Sequence, residues 1–206
     1  MRIGLLGGTF DPVHCGHLAV ARLVKDTCAL DRVWLIPAAR SPFRGTPHAA
    51  ADHRLAMCRL AVRDRPWLEV KDLELTRPAP SYTIDTLRTL TKAHPDSVFT
   101  LIVGTDALEA MAAWRDTDGI FALSEVIAVA RPGFDAALPD DLVRDHPAAA
   151  TRVRILPDAA SEVAASDVRR RIAAGDSLDG LVPRAVADYI GRHGLYGHRD
   201  AAEGRI

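Results

Sequence analysis

The stretch RIGLLGGTFDPVHCGHL, residues 2–18, decides the fold. RIGLL (2–6) is a short apolar run of the kind that forms a buried strand, and two glycines close it. HLAVARLVKDT (17–27) then sets apolar residues at helical spacing, and RVWLIP (32–37) reads as a second strand stopped by Pro37. Strand, helix, strand is the seed of a parallel α/β sheet. Where the first strand gives way to the first helix lie the paired glycines and two histidines. Glycine lets backbone approach a ligand and take positive φ, and a helix N-terminus offers unpaired N–H groups and partial positive charge. Together they make a phosphate site. His14 and His17, three apart, point to one side of the first turn, and each imidazole can donate to a phosphate oxygen.

Common phosphate motifs are absent. No Lys-Ser or Lys-Thr follows the glycines as in a P-loop, and no GxGxxG is present. A zinc site would require further ligands. On its four residues alone HxGH reads equally well as two polar caps on a helix; the preceding GGTFDP tilts the reading toward phosphate.

The 206 residues are enough for one domain with a sizeable core, and 48% apolar with 26% charged residues is a globular balance. A formal net charge of −1 gives no bulk attraction to nucleic acid or to an anionic membrane. The first apolar run is too short for a signal-peptide core, and no stretch approaches the roughly 18 apolar residues of a membrane span. A soluble cytoplasmic protein is expected. Cys15, Cys28 and Cys58 have neither metal-ligand nor CxxC spacing and read as reduced thiols, Cys15 as a filler between the histidines or as a reactive thiol at a helix start.

Strand and helix patterns alternate to the end of the chain. Helices are predicted over 53–64, 82–94 (capped by Ser81 or Thr83), 106–114, 119–124, 166–175 (capped by Ser166) and 183–196. Strands are predicted over 68–75, 98–104, 126–130 and 152–156. Residues 40–53 read as a mobile loop and 133–150 as a variable excursion. The pattern predicts one doubly wound, Rossmann-like α/β domain with a mainly parallel sheet over residues 1–197, and a frayed tail over 198–206. In such sheets ligands bind outside the carboxyl ends of the strands, where Gly7, Gly104 and Arg131 all fall.

GGTFDPVHCGHL closely resembles the signature of the HxGH nucleotidyltransferases. SYTIDTLR (81–88), IVGTDAL (102–108), Trp114, ARPG (130–133), ASDVRRRI (165–172) and LVPRAVADYIGRHGLY (181–196) resemble, in order, later blocks of the bacterial nicotinate-nucleotide adenylyltransferases. The resemblance implies the nucleotidyltransferase fold and a step in NAD biosynthesis. The phosphate of nicotinate mononucleotide attacks the α-phosphorus of ATP, with Mg2+ accompanying the triphosphate, to give nicotinate adenine dinucleotide and pyrophosphate. Such chemistry needs alignment and charge neutralisation more than acid–base groups.

By resemblance His14, His17 and Arg169 are the catalytic residues, with His17 nearest the transferred group and no protein metal ligands. Gly7, Gly8, Thr9 and Phe10 form the loop over which ATP lies; Ser166 and Arg169 meet its phosphates, Gly104 and Asp106 its adenosine, and Arg131 the rim. Tyr82, Thr83 and Trp114 face the nicotinate ring, and Arg44 holds the mononucleotide's phosphate. Plainer readings stand beside these: Asp11 as a turn residue before Pro12, Tyr82 and Trp114 as core aromatics, and RRR (169–171) as a solvated helix face. Three departures from the family pattern are visible. SPFR (41–44) stands where PPHK is usual, so Phe43 and Arg44 replace His and Lys; Ala164 and Ala165 replace small hydroxyl residues; and Thr117 stands where a second aromatic is frequent. The alternatives are an HxGH enzyme acting on nicotinamide mononucleotide or a pantetheine phosphate, and a catalytically silent nucleotide-binding protein.

Overall fold

The computed structural model describes residues 1–42, 45–130, 137–156 and 163–197. β1 (Arg2–Gly8), α1 (Cys15–Thr27) and β2 (Arg32–Pro37) form the opening unit, followed by α2 (Ala51–Val62), β3 (Leu68–Val70), α3 (Thr83–Ala93) and β4 (Val98–Gly104). Next come α4 (Thr105–Glu109), a 3-10 turn (Met111–Ala113), α5 (Thr117–Leu123), β5 (Ser124–Val129), α6 (Asp140–Asp145), α7 (Ala149–Arg152) and β6 (Val153–Leu156). α8 (Ala165–Ala174), α9 (Arg184–Arg192) and a second 3-10 turn (Leu195–Gly197) complete the order.

Among the described residues six strands form one sheet in the order β3-β2-β1-β4-β5-β6, and every neighbouring pair is parallel. The chain steps outward from β1 to β3, returns to the other side of β1 as β4, and steps outward again. The reversal therefore lies between the carboxyl ends of β1 and β4, at Gly8 and Gly104, where a doubly wound sheet opens its ligand crevice.

The two-residue period of the strands supplies a core on each face. Ile3 and Leu5 of β1 and Phe99 and Leu101 of β4 join Ile84 and Leu87 of α3 and Ile120 of α5 on one side. Leu6, Val33, Leu35 and Ile102 join Leu18, Ala21 and Val24 of α1, Met57 of α2, Val168 of α8 and Val186 of α9 on the other.

Several predicted boundaries move for identifiable reasons. The strand predicted over 68–75 ends at Val70, because this edge strand turns away at Asp72, whose carbonyl accepts the Leu75 N–H. α3 is capped by Tyr82, since the Ser81 hydroxyl is occupied by the Ala39 N–H at 3.1 Å. α8 begins at Ala165 with Ala164 at its cap, so Ser166 lies exposed inside the first turn and is not the cap. The predicted loop over 40–53 ends in α2 from Ala51, and the 133–150 excursion carries α6 and α7. The tail 198–206 lies outside the described residues.

Candidate active site

At the switch point β1 continues through Gly8, so both glycines are extended backbone. The positive φ expected of them falls instead on Phe10, at 50°. What Gly7 contributes is space: a Cβ there would meet nothing within 4 Å. The Phe10 side chain turns inward from the loop after β1. Its ring is 2% exposed, packed in the core, and meets the His17 ring edge-on with centroids 4.9 Å apart. The side chain supports His17, and only the Phe10 backbone remains for a nucleotide.

His14 caps α1 and is buried, and its ring centroid lies 3.6 Å from that of His17. The His14 N–H donates to His17 Nδ1 at 3.2 Å. A neutral His17 ring accepting at Nδ1 carries its proton on Nε2, as a donor. The helix-end amides are partly committed: the Cys15 N–H goes to the Leu181 carbonyl at 2.8 Å and the His17 N–H to the His14 carbonyl at 3.0 Å. The imidazoles therefore carry much of the donor capacity at this end.

The loop between β1 and α1 is fixed by Asp11, which is far more than a turn residue. Its buried carboxylate accepts from the His48 N–H at 2.7 Å, the Ala49 N–H at 3.0 Å and the Tyr196 hydroxyl at 2.8 Å. Burial pushes this carboxyl up, but those donors together outweigh it and hold the group below the usual carboxylate range. The Asp11 carbonyl accepts from Arg169 Nη1 at 2.7 Å, which ties α8 to the motif loop.

Arg54 of α2, 1% exposed, is a second fixed point. Its guanidinium donates to the carbonyls of Thr9 (2.7 Å), Ala38 (2.8 Å), Ala39 (3.2 Å) and Ala49 (3.2 Å). Burial lowers its pKa, opposed by the charge of Asp11. The Ala49 peptide lies between the two, giving its carbonyl to Arg54 Nε and its N–H to Asp11. Arg54 and Tyr196 fix the motif loop through contacts that the motif reading did not foresee, and Asp11, read there as a turn residue, is their common neighbour. The signal for Arg54 is periodic: Arg54, Met57, Cys58 and Ala61 form one buried stripe at i, i+3, i+4 and i+7, so the charge sits on the apolar face.

Across the crevice, Gly104 caps α4, and a Cβ there would lie 2.5 Å from Asp106 Oδ1; the missing side chain lets that carboxylate fold back over the strand end. Beyond the end of β2 is a cleft of about 370 Å³ lined by Arg40, Ser41, Thr46, Pro80 and Tyr82 among others. Tyr82, followed by Thr83, starts α3, and the Arg115 guanidinium lies 4.8 Å from its ring centroid. Trp114 follows the first 3-10 turn. Both aromatics are partly buried against the same core. Thr117 is buried and donates to the Met111 carbonyl at 2.8 Å, with the Trp114 carbonyl 3.2 Å away, bracing the turn that presents Trp114. Arg44, Phe43 and Arg131 lie outside the described residues. Ser166 shares the first turns of α8 with Arg169, but no described contact ties it to the histidines.

Residues 5–171 match the model of the cytidylyltransferase-like family. A probable nicotinate-nucleotide adenylyltransferase of Symbiobacterium thermophilum is 44% identical over 197 residues, covering 95% of each chain. One from Bordetella petrii is 45% identical over 195 residues, covering 95% of this chain and 98% of that one. Among solved structures, the nicotinic acid mononucleotide adenylyltransferase of Plasmodium falciparum complexed with NaAD superposes with a TM-score of 0.78 over 96% of this chain and 98% of that chain. At 18% identity this is a likeness of fold.

Proposed function

The chain belongs to the cytidylyltransferase-like family and, within it, to the nicotinate-nucleotide adenylyltransferases, and on that premise we propose that it transfers the adenylyl group of ATP to nicotinate mononucleotide. Nicotinate adenine dinucleotide and pyrophosphate are the products, in a step of NAD biosynthesis. The observation that carries the mechanism is the imidazole pair at the head of α1, set at the switch point of the sheet with its rings 3.6 Å apart.

In this reading the ATP phosphates lie over Gly7, Gly8 and Thr9, where the absent Cβ of Gly7 leaves open space. His17 donates from Nε2 toward the transferred phosphoryl group, with His14 beside it. Arg169, already on the motif loop through the Asp11 carbonyl, offsets the charge of the leaving pyrophosphate, and the Ser166 hydroxyl donates to it. Asp106 and Gly104 receive the adenosine and Arg131 borders it. The mononucleotide lies in the cleft by Tyr82, its ring between Thr83 and Trp114, and Arg44 holds its phosphate. An oxygen of that phosphate attacks the α-phosphorus in line with the departing pyrophosphate, and no protein nucleophile intervenes. Preorganised donors act here because charge accumulates on the oxygens being transferred.

Magnesium enters with ATP as part of the substrate. Among the described residues no three His, Cys, Asp or Glu side chains are grouped so that they could hold a metal ion. No described helix is long and apolar enough to cross a membrane.

The test is pyrophosphate release from MgATP with nicotinate mononucleotide, nicotinamide mononucleotide and phosphopantetheine compared. A kcat/KM highest for nicotinate mononucleotide is expected; an equal or higher value for another acceptor overturns the substrate assignment. Arg44→Ala should raise KM for the mononucleotide and leave KM for ATP little changed.

A further inference from the structure

Arg54 ties together two parts of the crevice that the proposed function gives to different substrates. One acceptor, the Thr9 carbonyl, belongs to the loop under ATP. Two others, Ala38 and Ala39, lead from β2 toward the mononucleotide cleft. The connection continues from there. The Ala39 N–H donates to the Ser81 hydroxyl at 3.1 Å and the Ser81 N–H to the Arg40 carbonyl at 2.9 Å. Ser81 directly precedes Tyr82, which caps α3 at the proposed ring site.

We propose that Arg54 is a positioning residue that makes binding of ATP and of the mononucleotide cooperative, an inference that rests on the function proposed above. The guanidinium is planar and its donors are fixed relative to one another, so it cannot follow one loop without moving against the other. Ordering Thr9 under ATP fixes the fork, and the fork then fixes Ala38 and Ala39. The second ligand meets a loop whose ordering cost is already met, which is positive coupling. Electrostatics alone would act the other way, because both ligands bring phosphate into one crevice. The buried charge of Arg54 opposes that repulsion, and its partners are neutral carbonyls, with Asp11 reached only across the Ala49 peptide. Lysine would keep the charge but not the fork.

Calorimetry on the full-length protein measures this directly. Nicotinate mononucleotide is titrated alone and in the presence of saturating α,β-methylene-ATP with Mg2+, for wild type, Arg54→Lys and Arg54→Met. In wild type the analogue should tighten mononucleotide binding at least fivefold, the lower end of ordinary coupling. In both variants the ratio should fall to within about twofold of unity, whatever happens to each single-ligand affinity. A merely structural role would weaken both ligands and leave the ratio in place. A wild-type ratio near unity, or a wild-type ratio retained in Arg54→Lys, overturns the proposal. If neither variant folds by circular dichroism, hydrogen exchange on wild type decides. The analogue alone should slow exchange across residues 37–42 and 80–84; protection confined to 7–18 overturns the proposal. Failure of the wild-type protein to bind the mononucleotide or release pyrophosphate would instead overturn the function on which it rests.

Discussion

Arg169 donates from Nη1 to the backbone carbonyl of Asp11 at 2.7 Å, across 158 residues of sequence. The late helix α8 is thereby docked on the loop that opens the chain, and Asp11 is held at both ends, its carbonyl by Arg169 and its carboxylate by His48, Ala49 and Tyr196. A loop so determined can hold Phe10 at a positive φ that a bulky residue rarely adopts. That conformation brings the Phe10 ring against His17, with the ring centroids 4.9 Å apart.

His17→Ala should therefore lower kcat by on the order of a hundredfold or more, the usual loss for one preorganised donor. The fold should persist, because the Asp11 anchors do not involve the imidazole and the Phe10 ring keeps its other core neighbours. Steady-state pyrophosphate release beside a circular dichroism melt checks this. Near-normal turnover would remove His17 from the mechanism.

Tyr196→Phe deletes one donor to a buried carboxylate and should cost roughly 1.5–3 kcal/mol at neutral pH, read by urea denaturation. The sign with pH follows from Asp11. Its folded pKa lies below the unfolded value, so its contribution is present above the unfolded pKa and is lost as pH falls through the folded one. The difference between variant and wild type should shrink in acid. A difference that stays constant throughout the acid titration would place the effect in packing of the ring.

How much of this was legible in the sequence depends on where each signal sits. β2 and β4 are found at their predicted limits, because Pro37 and Gly104 stop apolar runs and the sheet buries both faces. The imidazole pair was legible because three-residue spacing on a helix places both rings on one side. The caps were not, since the better capping residues, Ser81 and Ser166, lie one or two positions away from the caps chosen by tertiary geometry. The Asp11 anchor was out of reach: its partners are backbone groups at 48 and 49 and a hydroxyl at 196, and a motif carries no record of distant amides. Arg54 lay between these extremes, marked by periodicity but with acceptors that no pattern reveals.

His146 closes α6 and links it to the turn before Trp114, with Nδ1 2.8 Å from Asp118 Oδ1 and Nε2 3.3 Å from the Ala112 carbonyl. Both ring nitrogens face acceptors, and the hydrogen bond to Asp118 is the main cause that raises its pKa. The stabilisation is then fully present below the unfolded histidine pKa and is lost as pH rises through the folded one. His146→Gln should destabilise by about 0.5–1 kcal/mol at pH 5.5, discounted because Asp118 is largely exposed, and by less at pH 8.5. Thermal melts at the two pH values check it; equal losses would mean the imidazole acts uncharged.

Arg115→Gln should selectively weaken the acid mononucleotide. Arg115 directly follows Trp114, its guanidinium lies 4.8 Å from the centroid of the Tyr82 ring, and it approaches Asp85 Oδ2 to 3.6 Å. Asp85 is shared with Arg88, whose Nη1 lies 3.9 Å from Oδ1. Arg115 is thus a cation held beside the start of α3 by a carboxylate that does not belong to it alone. A ring carboxylate near Thr83 gains from that charge, whereas a carboxamide gains almost nothing. The side chain is exposed, so the gain is that of a solvated ion pair, about 0.5–1 kcal/mol. Arg115→Gln should lower kcat/KM for nicotinate mononucleotide about threefold, leave that for nicotinamide mononucleotide within error, and lose this contrast at 0.5 M salt, where screening removes exposed interactions. Parallel kinetics with the two acceptors at low and high salt decide it. An equal fall for both acceptors, insensitive to salt, would show that Arg115 serves only to seat the Tyr82 ring.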